Sequence, residues 1–466
     1  MTMTPFKSLR IPETGAYWLR EARIPECLLS GAPPAAADGD GSLLVDLLIE
    51  GGKIAAIAPA GSAPVGGMSV DLAGRHVWPM LVDVHTHLDK GHVVDRTPNP
   101  DGSFAGARDA TSYDRERFWR HDDVYRRMTF GLRCAEAHGV SAIRTHLDSH
   151  EGQGDISWEV FRNVREEWKG RIDLQAVGLF PIDIYRGPYG VHMANVVARS
   201  GGIMGGVTRA SGQVHGENLA DIDMLLDTVF RLAGERGLAV DLHVDETGDP
   251  SAATLRNVAE AVLRNKFRYS VTCGHCCSLA VQDEREVERT IGLVAEAGIS
   301  VVTLPTVNMY LQDRVAGRTP RWRGVTVVKE LRAKGVRVAV AGDNCRDAFY
   351  AYGDHDMLDT FRQAVRILHL DHPHGDAPAL VAPEPAAIMA NGHGVVAKGA
   401  PARLIVFNAR SLNEIVSRPH SDRLLIRDGR ALACEMPDYA ELEFVRAAKD
   451  FPRTAPTAQA AQVAAE

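Results

Sequence analysis

The stretch that decides the fold reads Trp78-Pro-Met-Leu-Val-Asp-Val-His-Thr-His87. Its apolar first part predicts a buried β-strand that ends at the histidines. Because side chains alternate along a strand, His85 and His87 point to the same side and are able to bind one metal ion. A His-x-His pair alone is a weak signal for a metal site, so the rest of the chain must supply the other ligands.

Later apolar runs supply such residues at their ends, namely His243, His275 and Asp343. The helix-like stretches between strand candidates include 252–265, 284–297 and 327–334. Strands that alternate with helices predict a parallel sheet. In a closed barrel of such units, catalytic groups lie at the carboxyl ends of the strands. All five polar residues fall at such ends.

The middle of the chain contains eight strand candidates. They end at His87, His146, Phe180, Val207, His243, His275, Leu304 and Asp343. The fourth candidate, 203–207, is the weakest because glycines weaken a strand. We therefore expect an α/β protein in which residues 79–390 form a metal-dependent catalytic (β/α)8 TIM-type barrel.

Strand-like runs separated by glycine turns occur near both ends of the chain. We expect residues 1–78 and 391–451 to form one small β-sandwich domain built from both termini. The polar stretch 93–118 contains glycine and proline and predicts a long loop over the first barrel strand. The Ala/Gln/Thr/Pro-rich tail, 452–466, is expected to be disordered.

Composition and charge argue against several classes of function. The 466 residues carry a net charge of −8 with no basic block, which argues against nucleic-acid or anionic-membrane binding. No apolar run approaches the roughly 20 residues of a membrane helix. The seven cysteines are odd in number and do not resemble a disulfide framework, and the first ten residues show no signal-peptide pattern. A cytoplasmic location is expected.

The polar residues at the strand ends predict a site for one divalent metal ion, zinc or iron. The expected ligands are His85, His87, His243 and Asp343. Such an ion activates water for attack on an electrophilic carbon. Glu246 would transfer protons, and His275 would hold the attacking hydroxide or stabilise the developing negative charge. Each residue alone would more often be structural, so the prediction depends on their order along the chain.

These residues resemble those of the amidohydrolase superfamily. The ordered set of histidines and aspartate matches its motif, and segments 79–87 and 400–407 are similar to its entry into and exit from the barrel. Further segments resemble cytosine deaminase and its relatives, and these are 144–148, 243–246, 305–312 and 323–329. The resemblance covers about residues 45–430.

The resemblance implies a single metal ion and hydrolytic deamination of cytosine or a related nitrogen heterocycle. Two-metal members usually carry a bridging lysine on the fourth strand, and 203–207 contains none. Metal-activated water would attack the amino-bearing ring carbon while Glu246 protonates the ring nitrogen. The intermediate, held by the metal, Asp343 and His275, would then lose ammonia. The implied class is a hydrolase of carbon–nitrogen bonds other than peptide bonds.

Three positions depart from the cytosine deaminase pattern. Ile182 stands where that group has a glutamine that reads the pyrimidine edge, Asn344 replaces a second aspartate, and Phe349 replaces an indole. Losing a buried hydrogen-bond partner costs about 1–3 kcal/mol, which is enough to change the preferred ring. The candidate substrate-binding residues are Ile182, Asp183, Asn344, Phe349 and His146. For His146, which ends the second strand, the expected role is to support the ligands or line the pocket.

Other activities stay open. Segments 87–90 and 343–347 also resemble hydrolases of N-alkylated triazines such as N-isopropylammelide, so removal of an alkylamine, or hydrolysis of a cyclic amide, is an alternative. Glu246 favours a deaminase, because those hydrolases tend to have an aspartate there. An alternative of another class is a non-catalytic barrel that binds metal or ligand. The expected partner is a small heterocyclic molecule, and a homo-oligomer is left open.

Overall fold

The structure, a computed structural model, describes residues 5–31, 36–213, 219–418 and 422–448. The predicted disordered tail, 452–466, lies outside the described residues. Small parts of the predicted terminal domain lie outside them too.

The described chain contains eighteen β-strands. They are β1 (Tyr17–Pro25), β2 (Leu29–Ser30), β3 (Ser42–Glu50), β4 (Lys53–Pro59), β5 (Ser69–Asp71), β6 (Val77–Pro79), β7 (Leu81–Thr86), β8 (Val140–Asp148), β9 (Asp173–Leu179), β10 (Met204–Val207), β11 (Val240–Val244), β12 (Val271–His275), β13 (Ser300–Thr303), β14 (Val338–Val340), β15 (Val396–Ala397), β16 (Leu404–Phe407), β17 (Arg423–Arg427) and β18 (Arg430–Ala431).

Thirteen α-helices accompany these strands in the described residues. They are α1 (Phe104–Phe118), α2 (His121–Ala137), α3 (Gly154–Glu167), α4 (Pro188–Arg199), α5 (Ile222–Arg236), α6 (Thr254–Arg264), α7 (Glu284–Glu296), α8 (Pro305–Leu311), α9 (Val328–Ala333), α10 (Met357–Ile367), α11 (Pro383–Met389), α12 (Leu412–Ser417) and α13 (Glu443–Ala447). Between residues 140 and 340 strands and helices alternate, as the sequence predicts for an α/β protein.

The chain divides into two compact units. The first comprises Met1–Val82, Glu136–Ala142 and Asp356–Met436, and the second comprises Asp83–Ala135, Ile143–His355 and Pro437–Glu466. Both termini of the predicted small domain contribute strands to the first unit. The bounds expected from the sequence, with a catalytic domain at 79–390, stay a prediction.

The first unit contains two four-stranded sheets. Their strand orders are β4-β3-β1-β5 and β18-β17-β16-β6. The β3–β4 hairpin closes through Gly51 and Gly52, whose φ angles of 58° and 78° lie in the left-handed region. A two-residue hairpin loop with positive φ at both positions favours glycine, so the sequence placed this turn correctly.

Strands β7 to β14 form two further sheets. Their orders are β7-β8-β9 and β10-β11-β12-β13-β14, and the five-stranded sheet is parallel throughout. Isolated parallel bridges join Thr86 to Asp343 and Val177 to Ile203. The glycines of β10 reflect close packing, because a Cβ at Gly205 would lie 2.4 Å from the Val177 side chain.

The predicted long loop at 93–118 is wrong in its second half, where the chain forms α1. Ser103 begins this helix, because its side chain accepts a hydrogen bond from the backbone N–H of Gly106. Ala107 and Ala110 are buried in a small apolar cluster with Ala348. Because the outer face of the helix is polar and its apolar face is short, the helix was not recognised from the sequence.

Candidate active site

The ends of three strands bring the four predicted metal ligands together. His85 and His87 lie at the end of β7, His243 lies in β11, and Asp343 follows β14. The Nε2 atom of His243 is 3.2 Å from His85 Nε2 and 3.4 Å from His87 Nε2. A carboxylate oxygen of Asp343 is 3.1 Å from His87 Nε2 and 3.7 Å from His85 Nε2. All four side chains are buried.

Backbone contacts hold Asp343 in this position. Its N–H donates to the carbonyl of His85 over 2.8 Å, and the Thr86 hydroxyl donates to its carbonyl over 2.7 Å. Its φ of 65° lies in the left-handed region, which costs a non-glycine residue energy and is typical of functional sites. Because the backbone makes these contacts, the carboxylate remains available for another partner.

The cluster fits a divalent cation. Both carboxylate oxygens of Asp343 are buried without a hydrogen-bond partner, which is costly unless another group satisfies them. The Nε2 atoms of His85 and His87 both converge on the same Nε2 of His243, and three neutral imidazoles cannot all donate to one another. A cation placed among them would accept lone pairs from every ligand, and imidazole nitrogen with carboxylate oxygen is a common donor set for zinc or iron.

The protonation states of these four residues also favour binding of a cation. Burial lowers the pKa of His85, His87 and His243 well below its usual value, and the repulsion that a protonated ring would meet from neighbouring histidines, and for His85 and His87 from Lys90, lowers it further. These rings are therefore neutral, as metal ligation requires. Burial raises the pKa of Asp343, and the nearby carboxylate of Glu246 raises it further. A positive ion would stabilise the ionised carboxylate.

Glu246 and His275 lie together beside the cluster and share one partner, Asn308 of α8. The Asn308 amide donates to Glu246 Oε1 over 3.2 Å and to His275 Nδ1 over 3.0 Å. Burial raises the pKa of Glu246 to about 8, against the opposing charges of Arg209 and Lys90. The carboxyl group is therefore able to carry a proton at neutral pH. The role of Asn308 was missed in the sequence, although it lies in a segment that resembles known deaminases.

A cavity of about 420 Å³ opens beside these residues, which is within the range of about 300–1,000 Å³ usual for small-molecule sites. His87, Glu246, His275 and Asp343 are among the residues that line it. Three phenylalanines also line it, Phe104, Phe180 and Phe349, and the ring centroids of Phe104 and Phe349 lie 5.5 Å apart at an angle of 73°. The cavity therefore combines reactive groups with an apolar wall suited to a planar ring.

One wall of the cavity is charged and includes Lys90, Arg115 and Asp148. The Lys90 ammonium lies 2.8 Å from Asp148, and Arg115 contacts the other oxygen of the same carboxylate at 3.0 Å. Burial lowers the pKa of Lys90, but the charges of Asp148 and Asp89 outweigh it and raise the pKa above its ordinary value. Lys90 is therefore a fixed buried cation that can orient an acceptor group of a ligand.

The predicted substrate-binding residues fall into two groups. Asn344 and Phe349 line the cavity, and Asn344 donates to Asp347 over 2.7 Å. Ile182 and Asp183 are not among its lining residues. Ile182 is fully buried in a short 3-10 helix, Ile182–Arg186, and Asp183 accepts hydrogen bonds from Ser211.

His146 likewise lies behind the ligands and not on the cavity wall. Its ring centroid is 3.9 Å from that of His85, and its ring is fully buried. Asp241 lies 4.0 Å from its Nε2 atom. Of the two roles expected for His146, this placement fits support of the ligands better than lining of the pocket.

The profile of the amidohydrolase family matches residues 191–436 of the chain. Pterin deaminase of Rhizobium rhizogenes is 50% identical over 436 residues, which is 93% of this chain and 98% of that protein. The chain belongs to the amidohydrolase family. The resemblance seen in the sequence is thus confirmed, and so is the expected class, an enzyme that hydrolyses carbon–nitrogen bonds.

Solved structures of this amidohydrolase's relatives agree on the fold. 5-Methylcytosine deaminase from Klebsiella pneumoniae has a TM-score of 0.73 at 24% identity, covering 90% of this chain and 98% of that one. N-isopropylammelide isopropylaminohydrolase from Burkholderia multivorans has a TM-score of 0.71 at 25% identity, with the same coverage. None of the helices in the described part of the amidohydrolase combines the length and apolar character needed to span a membrane.

Proposed function

We propose that this amidohydrolase is a metal-dependent hydrolytic deaminase of a pterin-type heterocycle. The observation that carries the chemistry is the convergence of His85, His87, His243 and Asp343 beside a proton-carrying Glu246. The ring class is supported by the 50% identity to a pterin deaminase over nearly the whole of both chains. A pterin carries its amino group on a ring carbon between two ring nitrogens, whereas the amino-bearing carbon of cytosine has one ring nitrogen beside it; in both rings, attack by water at that carbon releases ammonia.

We also propose that β7 to β14 close into a (β/α)8 barrel and that the sheets of the first unit form a β-sandwich. The parallel bridges Thr86–Asp343 and Val177–Ile203 support closure, because each joins an edge of one sheet to an edge of the other. Closure would explain why residues distant in sequence meet at one rim.

The ligands proposed for one zinc or iron ion are His85, His87, His243 and Asp343. When bound, such an ion supplies Lewis acidity and lowers the pKa of water from about 15.7 towards about 7. The protein's contribution is to present three neutral imidazoles and one carboxylate in a buried place. Zinc and iron share this donor set, so the metal must be identified by elemental analysis.

The proposed proton transfers are assigned to Glu246. Its carboxyl group delivers a proton to the ring nitrogen next to the amino-bearing carbon and then to the departing amine. Water forms the new carbon–oxygen bond and loses its protons to Glu246, and the carbon–nitrogen bond to the amino group breaks to release ammonia. His275, which accepts from Asn308 at Nδ1, would keep its ring proton at Nε2 and donate it to the oxygen of the intermediate.

A substrate panel tests the proposal. Protein stripped with a chelator and reloaded with zinc or iron is assayed with pterin, cytosine and N-isopropylammelide for release of ammonia and of isopropylamine. We expect ammonia from pterin, little from cytosine, and no turnover by stripped protein. Ammonia from cytosine alone would favour a cytosine deaminase over a pterin deaminase. Release of isopropylamine would support the alkylamine hydrolase, and binding without turnover would support a non-catalytic role.

A further inference from the structure

A second buried cluster of possible metal ligands lies in the unit that contains the active site. It consists of His92, Cys345 and His355, whose ligand atoms all lie within 4.8 Å of one another. The three residues are 3%, 4% and 8% exposed. None of them belongs to the active site described above, and the proposed deamination uses none of them.

The hydrogen bonding of His92 is the unusual feature of this cluster. Both of its ring nitrogens are buried, and neither has a hydrogen-bond partner. A neutral imidazole has one donor and one acceptor, and leaving both unsatisfied in a buried place is costly. A ligand that accepts a nitrogen lone pair would relieve this cost.

The backbone around the cluster brings the three side chains towards one another. The N–H of His92 donates to the carbonyl of Cys345 over 3.1 Å. His92 and His355 have φ angles of 64° and 53°, in the left-handed region that non-glycine residues rarely adopt. Their ring centroids are 5.4 Å apart. Strained backbone at two of three clustered residues is typical of a functional site.

Space beside the ring nitrogens depends on Gly131 in α2. A Cβ atom there would lie 2.8 Å from His355 Nε2 and 3.3 Å from His92 Nε2. Glycine destabilises a helix interior relative to alanine, so its presence in α2 has a local reason. We infer that it leaves room for an occupant next to the two nitrogens.

We propose that His92, Cys345 and His355 bind a second divalent metal ion of the zinc type. Imidazole nitrogen and thiolate sulfur are both ligands that zinc binds in proteins. A water molecule would complete four ligands. The ion would tie the segment after β7, which carries Lys90, to the segment after β14, which carries Asn344, and so hold both walls of the cavity.

Cobalt gives a readout that separates the two sites. The ligands proposed for the active site include no sulfur, so a thiolate-to-cobalt absorption band in the near ultraviolet reports the second cluster alone. We expect the band in protein loaded with two equivalents of Co²⁺, and two ions per chain by elemental analysis. The variant Cys345→Ser should lose the band and one ion, and Cys434→Ser, which changes a cysteine outside the cluster, should keep both.

The variant Gly131→Ala keeps every ligand and fills the space, so it tests the site even where Cys345→Ser does not fold. We expect it to bind one ion per chain with no band. Wild-type protein without the band would overturn the proposal, and so would a band that survives in Cys345→Ser or Gly131→Ala. Because the band does not depend on turnover, failure of the proposed deamination would leave this result unaffected.

Discussion

Replacing the proposed proton carrier gives the sharpest test of the mechanism. In Glu246→Gln the side chain keeps its shape and its contact with Asn308, but it can no longer deliver a proton. Positioned proton transfer contributes about 100- to 10,000-fold to a rate, which corresponds to about 2.7–5.4 kcal/mol of activation free energy. Because Glu246 is 7% exposed and the pKa of its carboxyl group is raised to about 8, bulk water is a poor substitute, and we expect the upper half of this range.

The assay is ammonia release from pterin at neutral pH, with metal content measured on the same samples. Metal content should stay within error of wild type, because Glu246 is not among the four proposed ligands. Glu235→Gln is the matched control. It makes the same chemical change on the surface of α5, where Glu235 pairs with Arg231, and it should leave kcat unchanged. A kcat for Glu246→Gln within threefold of wild type would refute the assignment of proton transfer to this residue.

Three further predictions concern stability. Lys90→Met leaves Asp148 with Arg115 as its remaining ion pair, so it should lower the free energy of unfolding by about 3 kcal/mol in urea denaturation. In Asp356→Asn the side chain can still cap α10 but loses its ion pair with Arg423. Burial raises the pKa of Asp356, but Arg423, with His138 and the Leu358 N–H, outweighs this and lowers it overall. The stability advantage of wild type should therefore be complete above pH 5 and shrink as pH falls below about 4, as thermal melts at each pH would show. Ser103→Ala removes the cap of α1 and should cost about 1 kcal/mol, and an unchanged urea midpoint would contradict this.

The sequence grouped the four proposed ligands because their order along the chain follows a simple rule. In an alternating strand–helix chain, residues at the carboxyl ends of parallel strands meet at one edge of the sheet. Identifying such ends needs only local hydrophobic patterns, so the amino-acid sequence is enough to group His85, His87, His243 and Asp343. Glu246 was placed in the same way, by its distance along the chain from His243.

The sequence did not identify the partners that reach the site from elsewhere in the chain. Asn308 lies in α8, and Arg115 lies in α1, which the sequence suggested was a loop. Their contacts with Glu246 and Asp148 depend on how helices pack, and no local pattern encodes that packing. Ile182 shows a different limit of sequence reasoning. It stands where related enzymes have a residue that reads the substrate, but here its side chain is fully buried and does not line the cavity.

The amino-acid sequence alone determined the α/β class of the fold and grouped the residues proposed as ligands and proton carrier, because strand periodicity and residue type are local properties. The tertiary structure decided which side chains line the cavity and that His92, Cys345 and His355 meet in a second cluster. Those residues are 253 and 10 positions apart along the chain, and only the pairing of the two segments brings them together. Close approach of distant segments is a property of packing, which depends on the whole chain at once.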